Sequence, residues 1–198
     1  MARTLDCADV ASLDKHTSAR ERLTSQLRSQ ALVVGDVVLT SGRHASYYVD
    51  VKRAILRPDG FSALAELVAG YAREREATAV GGMTMGADPI ACAALAGGAP
   101  VKAFFVRKDA KAHGLQRRIE GPLLEPDDRC LVVGDVVTTG GSTLAAIAAL
   151  QDAGQQICGV CAVLDRLAGG GELIAAAAGA PYLALCTIDD VYPERPDA

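Results

Sequence analysis

The sequence contains no run of about 20 uninterrupted apolar residues, the length a membrane-spanning helix needs, although half of its 198 residues are hydrophobic. Its most apolar stretches are broken by Asp88, Pro89, Gly97, Gly98 and Lys102, or by Gly179 and Pro181, so no span is expected. The first 20 residues are polar and charged and lack the apolar core of a secretory signal. A soluble, cytoplasmic protein is therefore expected. An excess of basic charge is missing too: the net charge of −4 argues against a general nucleic-acid binder. A metal-type cysteine framework is also lacking. Six cysteines are scattered at Cys7, Cys92, Cys130, Cys158, Cys161 and Cys186, and the pair Cys158-Gly-Val-Cys161 has no second pair at ligand spacing. That pair lies in an apolar run read as a strand, where residues three apart face opposite ways, so buried thiols in a reduced compartment are expected. There is no internal repeat, and no low-complexity linker apart from Gly169, Gly170 and Gly171.

What remains is a chain able to bury a sizeable core, with 22% charged residues. The length suits one α/β domain over residues 1–198, with about residues 1–55 forming a small N-terminal hood. Leu23 and Leu27 suggest a first helix over 17–32. Residues 33–39, a turn through Thr40-Ser41-Gly42-Arg43, and Tyr47-Tyr48-Val49 suggest a hairpin-like strand pair. Phe61, Leu64, Ala65 and Val68 follow helical spacing, which predicts a helix over 60–75. The pattern then alternates. Strands are expected at 78–81, 101–106, from Leu131, at 157–164 and at 182–186. Helices are expected at 89–96, after Ser142 and at 172–177. Alternation of this kind predicts a doubly wound parallel sheet with ligands beyond the carboxyl ends of its strands.

One stretch carries the chemistry: Cys130-Leu-Val-Val-Gly-Asp-Val-Val-Thr-Thr-Gly-Gly-Ser-Thr143. A short apolar run leads to Asp135, and the chain then turns through Thr138, Thr139, Gly140, Gly141 and Ser142 into an Ala-rich helix opened by Ser142 or Thr143. The glycine pair permits close backbone approach, and the free amides and positive dipole end of the helix suit a phosphate. An acid beside a phosphate cradle points to a phosphorylated sugar.

A second stretch reverses the local charge. Residues 107–118 hold five basic residues and one acid within an acidic chain, at the start of a loop running from Lys108 to about Asp128. Most charge runs are solvated surface, but a connection this long is uncommon in a compact domain. A basic lid of this kind can close over a polyphosphate and neutralise a departing group. Tyr47, Tyr48 and Asp50, and Asp165-Arg166, are weaker candidates; Arg166 either caps a strand end or grips a carboxylate or planar imide through its guanidinium.

Residues 132–143 resemble the ribose-phosphate signature of type I phosphoribosyltransferases. Three further stretches are similar to the orotate phosphoribosyltransferases, in family order over about residues 20–170. They are Thr40-Ser-Gly-Arg-His-Ala-Ser-Tyr-Tyr-Val-Asp50, Val80-Gly-Gly-Met-Thr-Met-Gly-Ala-Asp-Pro-Ile90, and Phe105-Val-Arg-Lys-Asp-Ala-Lys-Ala-His-Gly114 continuing to Ile119-Glu-Gly121. The resemblance implies that fold, with a long flexible catalytic loop. It also implies transfer of ribosyl 5-phosphate from phosphoribosyl pyrophosphate (PRPP) to N1 of orotate, in pyrimidine biosynthesis. By the same resemblance Asp135, Val136, Val137 and residues 138–142 would hold the ribose phosphate. Arg107, Lys108, Lys111 and His113 would meet pyrophosphate, with Lys111 foremost in catalysis. Thr138, Arg166 and Tyr48 would face orotate. Mg²⁺ would be held mainly through PRPP rather than by protein ligands. A homodimer would share the lid between subunits. A purine or uracil phosphoribosyltransferase, or a ligand-sensing relative without catalysis, are the competing readings.

The chain departs from the family pattern at three positions. Gly134 stands where the signature has the first of two adjacent acids, and Thr40 and Gly86 stand where many members have lysine.

Overall fold

The computed structural model describes residues 18–38, 44–108 and 118–196. A helix over 18–26 (α1) runs into a π-helical turn, Leu27–Ala31. Ala19, Leu23, Leu27 and Ala31 recur every four residues and are all fully buried, so one stripe of this helix faces the core. Strands β1 (Leu32–Val38) and β2 (His44–Val49) pair antiparallel, with an irregularity between Val34 and Val37. The turn expected at residues 40–43 lies outside the described residues. A short helix α2 (Lys52–Ile55) then leads into α3 (Pro58–Glu74), which has proline in its first turn, where no backbone donor is missed.

The main sheet holds six strands: β3 (Ala79–Met83), β4 (Lys102–Val106), β5 (Ile119–Glu120), β6 (Arg129–Val137), β7 (Gln156–Asp165) and β8 (Tyr182–Thr187). Their order is β5-β4-β3-β6-β7-β8, and every pairing is parallel except β4 with β5. Helix α4 (Asp88–Ala96) connects β3 to β4, and its Ile90, Ala91, Ala93 and Ala94 join α1, α3 and β2 in the core on one face. Helices α5 (Gly141–Asp152) and α6 (Gly170–Ala178) cover the other face through Ala146, Ile147, Leu150 and Ile174. Winding therefore runs one way from β3 to β4 and the other way from β6 to β8. The point of reversal lies between β3 and β6, where diverging connections leave a crevice at the strand carboxyl ends.

The expected doubly wound sheet is present, with three additions that periodicity did not show. Helix α2 and a last helix α7 (Ile188–Val191) are each only four residues long, too short to display a period. Helix α7 is held by a capping box in which Thr187 and Asp190 satisfy each other's backbone amides. The connection expected to be a loop from 108 to about 128 is interrupted by β5, whose Ile119 and Glu120 face Val106 and Phe105.

The cysteine expectation is half corrected. Cys130, Cys158, Cys161 and Cys186 are free and buried. Cys158 and Cys161, however, enter the same core cluster rather than opposite faces. The cause is a bulge: Cys130 pairs with Ile157 but Leu131 with Gly159, so β7 carries one extra residue and its alternation slips by one. Burial pushes the thiols of Cys130 and Cys161 up to about 12. Among the described cysteines, Cys92 is the exposed one. Alkylation of the native protein at pH 8, mapped by mass spectrometry, should therefore modify Cys92 and spare Cys130 and Cys161 until denaturant is added.

Candidate active site

Two connections border the crevice. After β3 the chain turns through residues 84–87 into α4, and Thr84 donates its amide to Val106 O at 2.9 Å and its hydroxyl to Asp88 Oδ2 at 2.6 Å. After β6 it turns through residues 138–140 into α5. Gly140 is the N-cap of α5 at φ +82°, a left-handed conformation that costs a residue with a Cβ about 1–2 kcal/mol. It is also pressed against α6, since a Cβ here would sit 3.0 Å from Ile174 Cδ1. No side chain caps α5, so the first-turn amides have no protein oxygen supplied by the cap residue. Thr138, Thr139, Gly141 and Ser142 are exposed around that helix end. The helix starts at Gly141, one residue before the expected Ser142.

Asp135 stands at the edge of this cradle, where β6 leaves the pairing with β3. Its Oδ1 accepts from the amide of Val136 at 2.8 Å, and its Oδ2 accepts from Lys52 Nζ at 3.3 Å. Lys52 also reaches Asp50 Oδ1 at 3.0 Å, so its ammonium lies between two carboxylates. Burial works against the Lys52 charge, but the hydrogen bond to Asp50 and the fields of both acids outweigh it and raise the lysine above its usual value. Opposite, Gly86 leaves the space Asp135 occupies: a Cβ there would meet its Cγ at 2.6 Å. At Gly134 a Cβ would stand 3.1 Å from Thr143 Oγ1, so a side chain at this position would crowd the first turn of α5.

On the far wall, Arg166 follows β7 and donates its amide to Val137 O at 2.8 Å. Its guanidinium donates to Tyr47 Oη at 2.6 Å and lies 4.8 Å from the centre of the Tyr47 ring. Tyr47 in turn packs edge-on against Tyr192 at 5.4 Å. Of the two tyrosines singled out in the sequence, Tyr47 is thus the one that meets Arg166. Tyr48 is 40% exposed, because adjacent strand residues point to opposite faces. Asp165 is buried and saturated by Tyr182 Oη at 2.8 Å and the Leu167 amide at 2.7 Å, which makes it a structural anchor for the strand end.

The basic loop leaves and returns at one place. Arg107 donates its amide to Arg118 O at 2.8 Å, and Arg107 Nη1 lies 3.5 Å from Glu120 Oε1. Arg107 and Lys108 line a cavity of about 390 Å³ together with Thr84, Phe105 and Glu120, which places the loop's stem beside the residue 84–87 turn. Lys111 and His113 lie outside the described residues. Lys52 was not singled out in the sequence. Its only signal is position, two residues after Asp50 at the end of β2.

A sheet wound in this order, with an acid and an uncapped helix start at its reversal point, has the fold of the type I phosphoribosyltransferases. No protein-family model matches the chain. It is 45% identical over 177 residues to the orotate phosphoribosyltransferase of Corynebacterium glutamicum, covering 89% of this chain and 95% of that one. The crystal structure of Mycobacterium tuberculosis orotate phosphoribosyltransferase in complex with Fe(III) dicitrate superposes with a TM-score of 0.79 at 42% identity, covering 88% of this chain and 99% of the other. The same enzyme in complex with PRPP gives a TM-score of 0.75 at 37% identity, over 87% and 98% of the two chains. The chain belongs to the orotate phosphoribosyltransferase family.

The cradle generates a direct prediction. Gly140→Ala should weaken binding of ribose 5-phosphate by about tenfold, the affinity equivalent of about 1.4 kcal/mol, as the left-handed turn is disfavoured. Isothermal titration calorimetry checks it, with circular dichroism confirming the fold.

Proposed function

We propose that this chain transfers the ribosyl 5-phosphate group of PRPP to N1 of orotate, releasing pyrophosphate and forming orotidine 5′-phosphate in pyrimidine biosynthesis. The observation that carries the reading is the placement of Asp135 and the uncapped start of α5 side by side at the reversal point of the sheet. The amides and hydroxyls of residues 138–142 hold the 5-phosphate, aided by the positive end of the helix. Asp135 accepts the ribose hydroxyls. As the bond from C1 to the pyrophosphate oxygen lengthens, its negative charge opposes the positive charge developing on the ribose ring. N1 of orotate then forms the new bond to C1 as its proton passes to the departing pyrophosphate or to water, and no covalent enzyme intermediate is required.

Arg107 and Lys108 at the stem, with Lys111 and His113 further along the loop, neutralise the departing pyrophosphate. Lys111 is the proposed catalytic group. Arg166 and Thr138 face orotate, and the guanidinium presents its remaining donors to the carboxylate. The hydrogen bond and ring of Tyr47 give Tyr47, rather than Tyr48, the supporting position behind Arg166.

Among the described residues no group of three or more His, Cys, Asp or Glu side chains converges on one point. Mg²⁺ would be held mainly through the oxygens of PRPP, with Asp135 as the accompanying protein carboxylate. The ion supplies charge neutralisation of the leaving group. The proposal includes a homodimer in which each loop completes the neighbouring site. It also includes a cytoplasmic location, which suits the free buried thiols. Among the described residues no helix is long and apolar enough to cross a membrane.

The decisive assay follows the loss of orotate absorbance with PRPP and Mg²⁺. Consumption of orotate is expected; turnover of hypoxanthine or uracil instead would overturn the substrate assignment. Lys111→Ala should lower kcat by at least about 100-fold, the scale of a lost transition-state contact, with the thermal midpoint unchanged. An unaltered kcat would remove the loop from the chemistry. Mixing inactive Lys111→Ala chains with inactive Asp135→Ala chains should restore activity in verified heterodimers. Absence of recovery would count against the shared site.

A further inference from the structure

The family signature has two adjacent acids, and this chain keeps only the second, Asp135. Its carboxylate accepts from the Val136 amide at 2.8 Å and fills the space that Gly86 leaves by having no side chain. Among the described residues the side chain that hydrogen-bonds to it is Lys52, from α2 in the N-terminal segment. Lys52 is itself fixed rather than dangling. Asp50 Oδ1 accepts from both the Lys52 amide, at 3.2 Å, and Nζ, at 3.0 Å. Asp50 in turn donates its own amide to Ala31 O at 3.1 Å, at the end of the π-helical turn. A continuous set of bonds thus runs from that turn through Asp50 and Lys52 to Asp135 on β6.

We propose that Lys52 is a positioning residue for the transfer reaction, which orients the Asp135 carboxylate toward the ribose hydroxyls in a site that has this one acid of the signature pair. The side chains of Lys52 and Asp135 are 39% and 28% exposed, so solvent screens the pair and it contributes little to stability. Its consequence is orientational. With Oδ1 on the Val136 amide and Oδ2 on Lys52, the carboxylate cannot rotate freely, and its remaining lone pairs stay aimed into the crevice. Nearby, Gly134 lies against Thr143 Oγ1, and a carboxylate side chain there would have to share the space at the start of α5. The bond network leaves that helix start to the phosphate alone. The inference rests on the proposed binding of the ribose phosphate at Asp135.

The test compares binding of ribose 5-phosphate and 2-deoxyribose 5-phosphate to the wild type, Lys52→Met and Lys52→Arg by calorimetry, together with binding of pyrophosphate. Wild type should prefer ribose 5-phosphate by about tenfold, the value of a hydroxyl donated to a carboxylate. In Lys52→Met that preference should collapse toward parity, pyrophosphate affinity should hold, and the thermal midpoint should shift little; Lys52→Arg should restore the preference. A preference that survives or grows in Lys52→Met overturns the inference. So does a loss confined to pyrophosphate, which would make Lys52 a phosphate contact. Wild type that binds neither sugar phosphate contradicts the functional reading itself, a result distinct from failure of the Lys52 role.

Discussion

The site depends on the reversal of winding between β3 and β6. Because α4 covers one face and α5 and α6 the other, the chain leaves β3 and β6 in opposite directions, and among the described residues no connection fills the space above their carboxyl ends. The described candidate residues that border that space come from several connections. Asp135 and the cradle come from β6–α5, Gly86 from β3–α4, Arg107 and Lys108 from the end of β4, and Arg166 from the end of β7. The antiparallel pair β1–β2 and α2 bring Tyr47 and Lys52 in from the side.

The crevice pairs its charges: Lys52 lies between Asp50 and Asp135, and Arg107 lies beside Glu120. With glycine as the cap residue, α5 forgoes only a few tenths of a kcal/mol that a Ser, Thr, Asp or Asn would contribute. A cap side chain would, however, occupy the amides that an anion needs. Glycine at position 140 resolves the conflict, since it takes the left-handed turn without offering an acceptor of its own. The same economy of side chains at Gly86 gives Asp135 its room. At Gly134, likewise, the missing side chain leaves Thr143 Oγ1 uncrowded at the first turn of α5.

Much of this was legible in the sequence, and the exceptions have physical causes. The alternation of apolar runs and Ala-rich helices marked the parallel sheet, and Asp135 through Ser142 marked the cradle, because strand, acid, turn and helix start are contiguous there. What escaped were features made by distance along the chain. Lys52 is 83 residues from Asp135, and its pairing follows from how α2 packs, not from local spacing. Tyr47 could not be preferred to Tyr48 until the register of β2 was known. The bulge at Cys158 lies inside a continuous apolar run, where alternation has no polar residues to reveal a slip. Strand β5 and helices α2 and α7 are two to four residues long and carry no period at all.

If the crevice above β3 and β6 receives a phosphoribosyl group, titration with ribose 5-phosphate will move the backbone amide resonances that line it. The largest shifts should fall on Val136, Thr139, Gly141 and Ser142. Shifts confined elsewhere, such as the cavity formed by Leu123, Leu124 and Gln155 beyond the carboxyl end of α5, would contradict it.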